Sequence, residues 1–268
     1  MNHLDLFSGL GGFALGANAA GYTTIAFVEC EPYAQAILGT HWPDVPLIND
    51  VRSVAIEPGH CPRCELCEEP LCELCEVHLF KCDCLTESQW FDTFPHELEL
   101  ITAGWPCQDV SRLGDREGLA GTRSGLWAEV VRIVGTLRPR RIMLENVPNV
   151  LQGDHGGWMG RVLGDLAGLG YDAEWRRVDY QSFGIRQHRE RLFIMADDNR
   201  RERHKSHERP LMYRKIQAAP FERGQPYPHG GRAPFRPSDR MDIGARISAC
   251  ANAVSPQIVH RLLEGLKP

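Results

Sequence analysis

Short runs of apolar residues recur along most of the chain, and glycine, proline or charged residues separate them. Apolar runs of about four to eight residues are typical of buried strands, whereas apolar residues three and four positions apart indicate helices. This pattern predicts strands at residues 3–7, 23–28, 45–48, 98–103, 141–144, 171–180 and 192–196. It predicts helices at 11–20, after Glu31, at 125–137, at 158–169, and after Ser255, which a proline follows.

The predicted strands and helices alternate, and a polar residue follows several of the strands. Glu29, Asp50 and Glu145 each stand where an apolar run ends. Repeated strand–helix units form parallel sheets covered by helices on both faces, and their ligands bind at the carboxyl ends of the strands. The sequence therefore predicts an α/β fold with a doubly wound, mostly parallel sheet and a ligand site at those strand ends.

Cys107 follows the apolar run 98–103 and stands directly after Pro106. Pro106 restricts the backbone beside it, and Gly104 allows the chain to bend. A cysteine held on a strand-end loop is a candidate nucleophile. Most free cysteines are simply small buried hydrophobic residues, and Cys107 taken alone fits that description better. Other motifs are needed to decide between the two interpretations.

Seven cysteines crowd into residues 61–84, and the Cys-x-x-Cys pairs among them have the spacing of metal ligands. The candidate ligands are Cys61, Cys64, Cys67, Cys72, Cys75, His78, Cys82 and Cys84. Structural zinc takes four sulfur or nitrogen ligands, so this set could hold one or two ions. An iron–sulfur centre and free surface thiols are the alternatives. Residues 57–97 contain few apolar side chains, so we predict a metal-binding insertion that folds around its metal.

Composition and charge fit a soluble globular protein. Of the 268 residues, 43% are hydrophobic and 24% are charged, and the net charge is −5. No apolar run approaches the ~20 residues of a membrane-spanning helix, so no membrane partner is expected. The N-terminus begins as a strand rather than as an export signal, and closely spaced cysteines suit metal binding in a reducing compartment. We therefore expect a cytoplasmic protein.

Charge is unevenly distributed along the chain. Most of the charged residues in 52–104 are Asp and Glu, whereas 197–246 carry an excess of Arg and Lys. A basic stretch without apolar periodicity is predicted to be a loop or disordered, and it suits contact with phosphates, although it can also be merely solvated. The acidic insertion is not suited to phosphate contact, so a structural or partner-binding role is expected for it.

Four stretches, in this order, change the interpretation of Cys107. They are residues 5–12 (Asp-Leu-Phe-Ser-Gly-Leu-Gly-Gly), the Pro-Cys-Gln around Cys107, the Glu-Asn-Val from Glu145, and the Gln-x-Arg-x-Arg of 187–191. Together they resemble the DNA cytosine-5 methyltransferase family of bacterial and phage type, over residues 1–52, 98–196 and 245–266. The resemblance implies a fold that uses S-adenosylmethionine, and methylation of double-stranded DNA within a restriction-modification system in a bacterial or phage-infected cell.

The resemblance also implies which residues hold S-adenosylmethionine. They are Phe7, Ser8, Gly9, Leu10, Gly11, Gly12, Glu29, Cys30, Asp50, Val51, Pro106, Asn252 and Ala253. By this match Phe7 packs against the cofactor, Glu29 binds the ribose and Asp50 meets the adenine amino group. Cys30 stands where many relatives have a large apolar or aromatic residue. The last helix is expected to pack beside the first.

The implied chemistry overcomes the poor nucleophilicity of cytosine C5. The Cys107 thiolate adds to C6, Glu145 acts as an acid at N3, and Arg189 stabilises charge at O2. The cytosine must be flipped out of the duplex to reach these groups. Further substrate contacts are expected from Gln108, Ser111, Asn146, Val147, Gln187 and Arg191.

The motifs and the composition divide the chain into five parts. These are a cofactor-binding half at 1–56, the Cys-rich insertion at 57–97, a catalytic half at 98–196, a short target recognition segment at 197–244, and a C-terminal helix at 245–268 that returns to the catalytic domain. The short recognition segment predicts few base contacts, hence a short target site or help from a second subunit or a second copy. A tRNA cytosine-5 methyltransferase and an inactive nucleic-acid-binding relative with a zinc knuckle are the alternatives.

Overall fold

A computed structural model describes residues 1–54, 98–105, 125–186, 188–200 and 253–264 of the chain. Its strands are β1 Asn2–Leu6, β2 Thr23–Val28, β3 Leu47–Ile48, β4 Leu98–Ala103, β5 Arg141–Asn146, β6 Tyr171–Asp179 and β7 Glu190–Asp198. The α-helices of this part are α1 Gly12–Ala19, α2 Pro32–His41, α3 Leu126–Leu137, α4 Gly157–Gly168 and α5 Pro256–Glu264. None of these helices has the length and apolar character needed to cross a membrane.

The strands form one seven-stranded sheet in the order β3-β2-β1-β4-β5-β7-β6. The five strands β3, β2, β1, β4 and β5 are parallel to one another. Strand β7 runs antiparallel to both β5 and β6. The prediction of a doubly wound, mostly parallel sheet is therefore confirmed. The chain winds outward from β1 in one direction and from β4 in the other, which opens a crevice between their carboxyl ends where ligands bind in such folds.

The observed strands differ from the predicted ones mainly at their ends. The run at 45–48 forms only the two-residue strand β3, because the proline at position 46 has no N–H and contributes only its carbonyl, which accepts from the Phe27 amide at 2.9 Å. The run at 141–144 continues to Asn146, and Glu145 is paired with Phe193 of β7. Glu145 is thus held within the sheet ladder rather than on a loop.

Both faces of the sheet are covered by apolar side chains. On one face, Ile142 and Leu144 of β5 belong to the same core as residues of α3 and α4. On the other face, Met143 of β5 belongs to a second core with residues of α1 and α5. Because β5 is buried on both sides, its three central residues, Ile142, Met143 and Leu144, are all apolar.

Helix α1 packs closely against α5 and the residues just before it, because two of its glycines face that segment. A Cβ at Gly16 would lie 2.5 Å from the Cβ of Val259, and one at Gly12 would lie 2.4 Å from the carbonyl oxygen of Val254. The last helix therefore packs beside the first, as the family resemblance implies. This contact brings residues 253–255 next to the glycine-rich turn that follows β1.

We predict that Gly16→Ala lowers the free energy of unfolding by ~1–3 kcal/mol, because the added methyl group must push α5 away from α1. Gly164→Ala is the matched control: a Cβ at this mid-helix position of α4 would meet no atom within 4 Å. That control should instead raise the free energy by ~0.5–1 kcal/mol through helix propensity. Denaturant unfolding measures both, and a Gly16→Ala protein as stable as wild type would contradict the close packing.

Candidate active site

The turn after β1 exposes its backbone to open space. Phe7, Gly9 and Gly11 have positive φ angles of 53°, 52° and 78°, and the Ser8 hydroxyl donates to the Asp5 carbonyl at 2.7 Å. A side chain at Gly9 would meet no atom within 4 Å. The turn therefore leaves room for a ligand beside its peptide groups, at the N-terminal end of α1.

Carboxylates from the next two strands lie beside this turn. Glu29 accepts the Gly9 amide at 2.7 Å and the Glu31 amide at 2.8 Å, which ties the end of β2 to the glycine turn. Asp50 follows β3 and accepts the Arg52 amide at 2.9 Å, capping a short 3₁₀ helix, Val51–Ser53. Cys30 lies at the surface. Partial burial of its thiol, followed by the charge of Glu29, raises the pKa of that thiol.

A chain of buried polar side chains crosses the sheet beneath the turn. Asn18 Oδ1 accepts the Thr24 hydroxyl at 3.0 Å, and Thr24 Oγ1 lies 2.9 Å from His3 Nδ1. Thr102 Oγ1 lies 2.8 Å from His3 Nε2 and 2.6 Å from Asp5 Oδ1. Burial lowers the pKa of His3 to about 3 and raises the pKa of Asp5 well above its ordinary value. The chain thus joins β2, β1 and β4 through side chains for which burial disfavours the charged form.

Glu145 is the central ionisable group at the end of β5. Its side chain is almost fully buried, and Arg191 Nε lies 2.9 Å from its Oε1. The N–H of Arg191 is not aimed at this oxygen, so the contact is an ion pair without an aligned hydrogen bond. Burial raises the pKa of Glu145 to about 7, although the charges of Arg191 and Arg189 oppose the rise. A carboxyl with such a pKa can donate a proton near neutral pH.

Arg189 and Arg191 occupy different positions around Glu145. The Arg189 guanidinium lies 5.5 Å from the centre of the Tyr180 ring, in a cation–π arrangement. The backbone carbonyl of Arg189 accepts the Tyr180 amide at 2.9 Å. The Tyr180 hydroxyl in turn accepts the Ser255 amide at 3.4 Å. Arg191 is therefore the direct partner of the carboxyl, and Arg189 lies beside it on an aromatic support. The sequence analysis had assigned Arg189 to the base O2 and Arg191 to substrate contact, and it did not predict the pairing of Arg191 with Glu145.

Asn146 joins the end of β5 to the end of β4. Its side-chain amide donates to the Trp105 carbonyl at 3.2 Å, and its side-chain oxygen accepts the Val147 amide at 2.7 Å. Trp105 is buried against Trp127, with ring centres 5.2 Å apart, and a Cβ at Gly104 would lie 3.6 Å from Glu145 Oε2. The backbone that leads toward Cys107 therefore runs directly beside Glu145. The sequence analysis did not predict the hydrogen bond from Asn146 to the Trp105 carbonyl, because a backbone partner leaves no motif in the sequence.

Some predicted site residues lie outside the described part of the chain. They are Pro106, Cys107, Gln108, Ser111, Gln187, Asn252 and the proposed metal ligands of 61–84. Within the described ranges, no group of three or more His, Cys, Asp or Glu could hold a metal ion. Leu10, Val147 and Ala253 are half-buried, and Val51 is buried.

The sheet order, the open glycine turn and the buried carboxyl at a neighbouring strand end define the class: an S-adenosylmethionine-dependent methyltransferase fold. Residues 1–68 and 75–228 match the family model described as C-5 cytosine-specific DNA methylase, and the chain belongs to this family.

Named relatives agree with this assignment. The chain is 32% identical over 200 residues to the Type II methyltransferase M2.BsuMI of Bacillus subtilis, covering 73% of this chain and 42% of that protein. It is 27% identical over 194 residues to the Type II methyltransferase M.MspI of Moraxella sp, covering 72% and 38%. The solved S. pombe Dnmt2 methyltransferase shares the fold, with a TM-score of 0.53 and 18% identity over 83% of this chain and 57% of that one. The chain spans less than half of the length of the two Type II methyltransferases.

We predict that Arg191→Gln raises the pKa of Glu145 above its value of about 7, because the ion pair with Arg191 favours the charged carboxylate. Since the folded-state pKa is raised, the protonated carboxyl persists from low pH up to about 7, and any stability that it contributes is lost as pH rises through 7.

Infrared difference titration of the carboxyl band, with Glu145→Gln to assign the band, measures this pKa. Arg177→Gln is the control, because Arg177 pairs with Glu190 at 2.6 Å on the exposed side of β6. An unchanged or lowered pKa in the Arg191 variant would refute the ion pair.

Proposed function

We propose that the chain transfers a methyl group from S-adenosylmethionine to C5 of cytosine in double-stranded DNA. The observation that carries this proposal is the buried Glu145, which has a pKa of about 7 and lies beside the strand end that leads toward Cys107. A carboxyl protonated near neutral pH is the group that the chemistry needs at cytosine N3. The family membership of the chain agrees with this chemistry.

The residues at the carboxyl ends of β1, β2 and β3 suit the cofactor. The peptide groups near Gly9 leave room for its methionine part, Glu29 lies where it can accept from the ribose hydroxyls, and Asp50 can accept from the adenine amino group. Both Glu29 oxygens already accept backbone amides, and each keeps a second lone pair for the ribose. Bound S-adenosylmethionine supplies an electrophilic methyl group.

The protein residues divide the reaction between them. The Cys107 thiolate adds to cytosine C6, and Glu145 donates its proton to N3, so that the negative charge that develops in the ring is neutralised. Arg189 stabilises charge at O2, while Arg191 holds the Glu145 carboxyl in place. After methyl transfer to C5, water removes the C5 proton, and the bond between C6 and the Cys107 sulfur breaks. The N3 proton then returns to the Glu145 carboxylate, which restores the thiolate and the protonated acid.

The substrate is expected to be a cytosine flipped from the duplex. Gln108, Ser111, Val147 and Gln187 are proposed to contact it, and Asn146 is proposed to shape the same strand end. The basic residues of 197–244 are proposed to contact phosphates, with a second subunit or a second copy completing recognition.

We predict that Cys107→Ser abolishes methyl transfer and leaves cofactor affinity nearly unchanged, because Cys107 meets the base. Wild-type protein should form a stable covalent adduct with DNA that contains 5-fluorocytosine, since fluorine cannot leave as a proton does. Denaturing gel electrophoresis detects the adduct. Cys250→Ser is the control for loss of a thiol, because Cys250 belongs to no proposed site. Turnover by the Cys107 variant, or an adduct with tRNA but not with DNA, would contradict the proposal.

We also propose structural zinc at the cysteines of 61–84, from their spacing alone. Purified protein should then contain one or two zinc ions per chain, and chelation should lower the melting temperature because metal binding is coupled to folding. Elemental analysis measures the metal. Protein without zinc and with seven reactive thiols in this segment would refute the site, and iron with sulfide would support the alternative centre.

A further inference from the structure

The turn of residues 50–54 is joined to the sheet by a short strand. It follows β3, which has only two residues and pairs with β2 through Leu47 and Ile48. Within the turn, the Ser53 amide donates to the Asp50 carbonyl at 3.0 Å, and the Val54 amide reaches the Val51 carbonyl only at 3.4 Å. The Ser53 hydroxyl also donates to the Asp50 carbonyl at 2.7 Å. These bonds shape the turn internally, whereas only the two residues of β3 pair it with the neighbouring strand.

A second anchor for this turn comes from α3. Arg132 donates from Nη1 to the Val54 carbonyl at 2.7 Å and from Nη2 to the Val51 carbonyl at 3.2 Å. Val54 ends the 3₁₀ helix, where a backbone oxygen lacks a helical partner and a cation is favourable. The Val51 carbonyl also accepts the Val54 amide, so Arg132 adds a second donor to it. Both contacts join residues far apart in sequence, so they fix the turn against a different layer of the fold.

The orientation of Arg132 is itself fixed. Glu129, one turn earlier on α3, accepts from Arg132 Nε at 2.7 Å, so three nitrogens of one guanidinium are engaged by three oxygens. A planar guanidinium presents donors in a rigid fork, which a lysine ammonium cannot reproduce. The buried side chains of Val51 and Val54 complete the attachment of the turn to the core.

We propose that Arg132 is a positioning residue for the cofactor: it fixes the 50–54 turn so that Asp50 can recognise the adenine amino group. This inference rests on the proposed function, in which Asp50 meets adenine. Arg132 touches backbone oxygens and Glu129, and it acts on the cofactor only through the turn. Its loss should therefore weaken recognition of the adenine amino group while leaving methyl transfer itself intact.

The test uses S-adenosylhomocysteine and S-inosylhomocysteine. The second compound has a carbonyl oxygen at the position where adenine has its amino group. Titration calorimetry with the full chain should show that Arg132→Lys and Arg132→Gln weaken binding of the adenine compound ~10-fold and bring the two affinities closer together. The maximal methylation rate at saturating S-adenosylmethionine should stay within about twofold of wild type, because the effect is on binding rather than on chemistry. Hydrogen exchange at residues 51–54 should accelerate in both variants.

Arg138→Lys is the matched control. Arg138 caps α3 and donates from Nη1 to the Leu169 carbonyl, so it also joins α3 to another element. This variant should keep the wild-type affinities and the wild-type preference for adenine. Unchanged preference in the Arg132 variants would overturn the proposal, as would an equal loss of both affinities together with a lower melting temperature. Failure of wild-type protein to bind S-adenosylhomocysteine would overturn the proposed function, and the role of Arg132 with it.

Discussion

The burial of Glu145 in the sheet is the constraint on which the site depends. Removing a carboxyl from water favours its protonated form, and the nearby charge of Arg191 limits that shift to a pKa of about 7. Arg191 reaches this position because β7 is antiparallel to β5, which places the first residues of β7 at the carboxyl end of β5. A parallel β7 would have carried Arg191 to the opposite end of the sheet. The one reversed strand thus has a direct chemical consequence.

The remaining parts of the site are gathered by the winding of the sheet. The carboxyl ends of β1, β2 and β3 collect the glycine turn, Glu29 and Asp50, while Asn146 holds the end of β4 against the end of β5. The glycines of α1 let α5 approach, which places residues 253–255 beside the same crevice. The residues proposed for cofactor binding and for the base chemistry therefore meet at one edge of the fold, although they are scattered along the sequence.

Much of this arrangement could be predicted from the sequence. Apolar runs located each strand of the described ranges, and the resemblance carried by four short motifs singled out Glu145 and its arginines. The direction of β7 could not be predicted, because an apolar run has the same pattern in either direction. The anchoring role of Arg132 could not be predicted either, since its partners are backbone oxygens that leave no signature in the sequence. Cys107 and the cysteines of 61–84 lie outside the described residues, and their roles remain predictions.

The proposed function is methylation of cytosine in DNA with the help of Glu145. The most direct measurement is bisulfite sequencing of unmethylated DNA after incubation with purified protein and S-adenosylmethionine, with Glu145→Gln as the parallel sample. The account predicts 5-methylcytosine at a defined recurring sequence with the wild-type protein, and a much lower level with the variant. Unmodified DNA with the wild-type protein, or equal methylation by the two proteins, would contradict it.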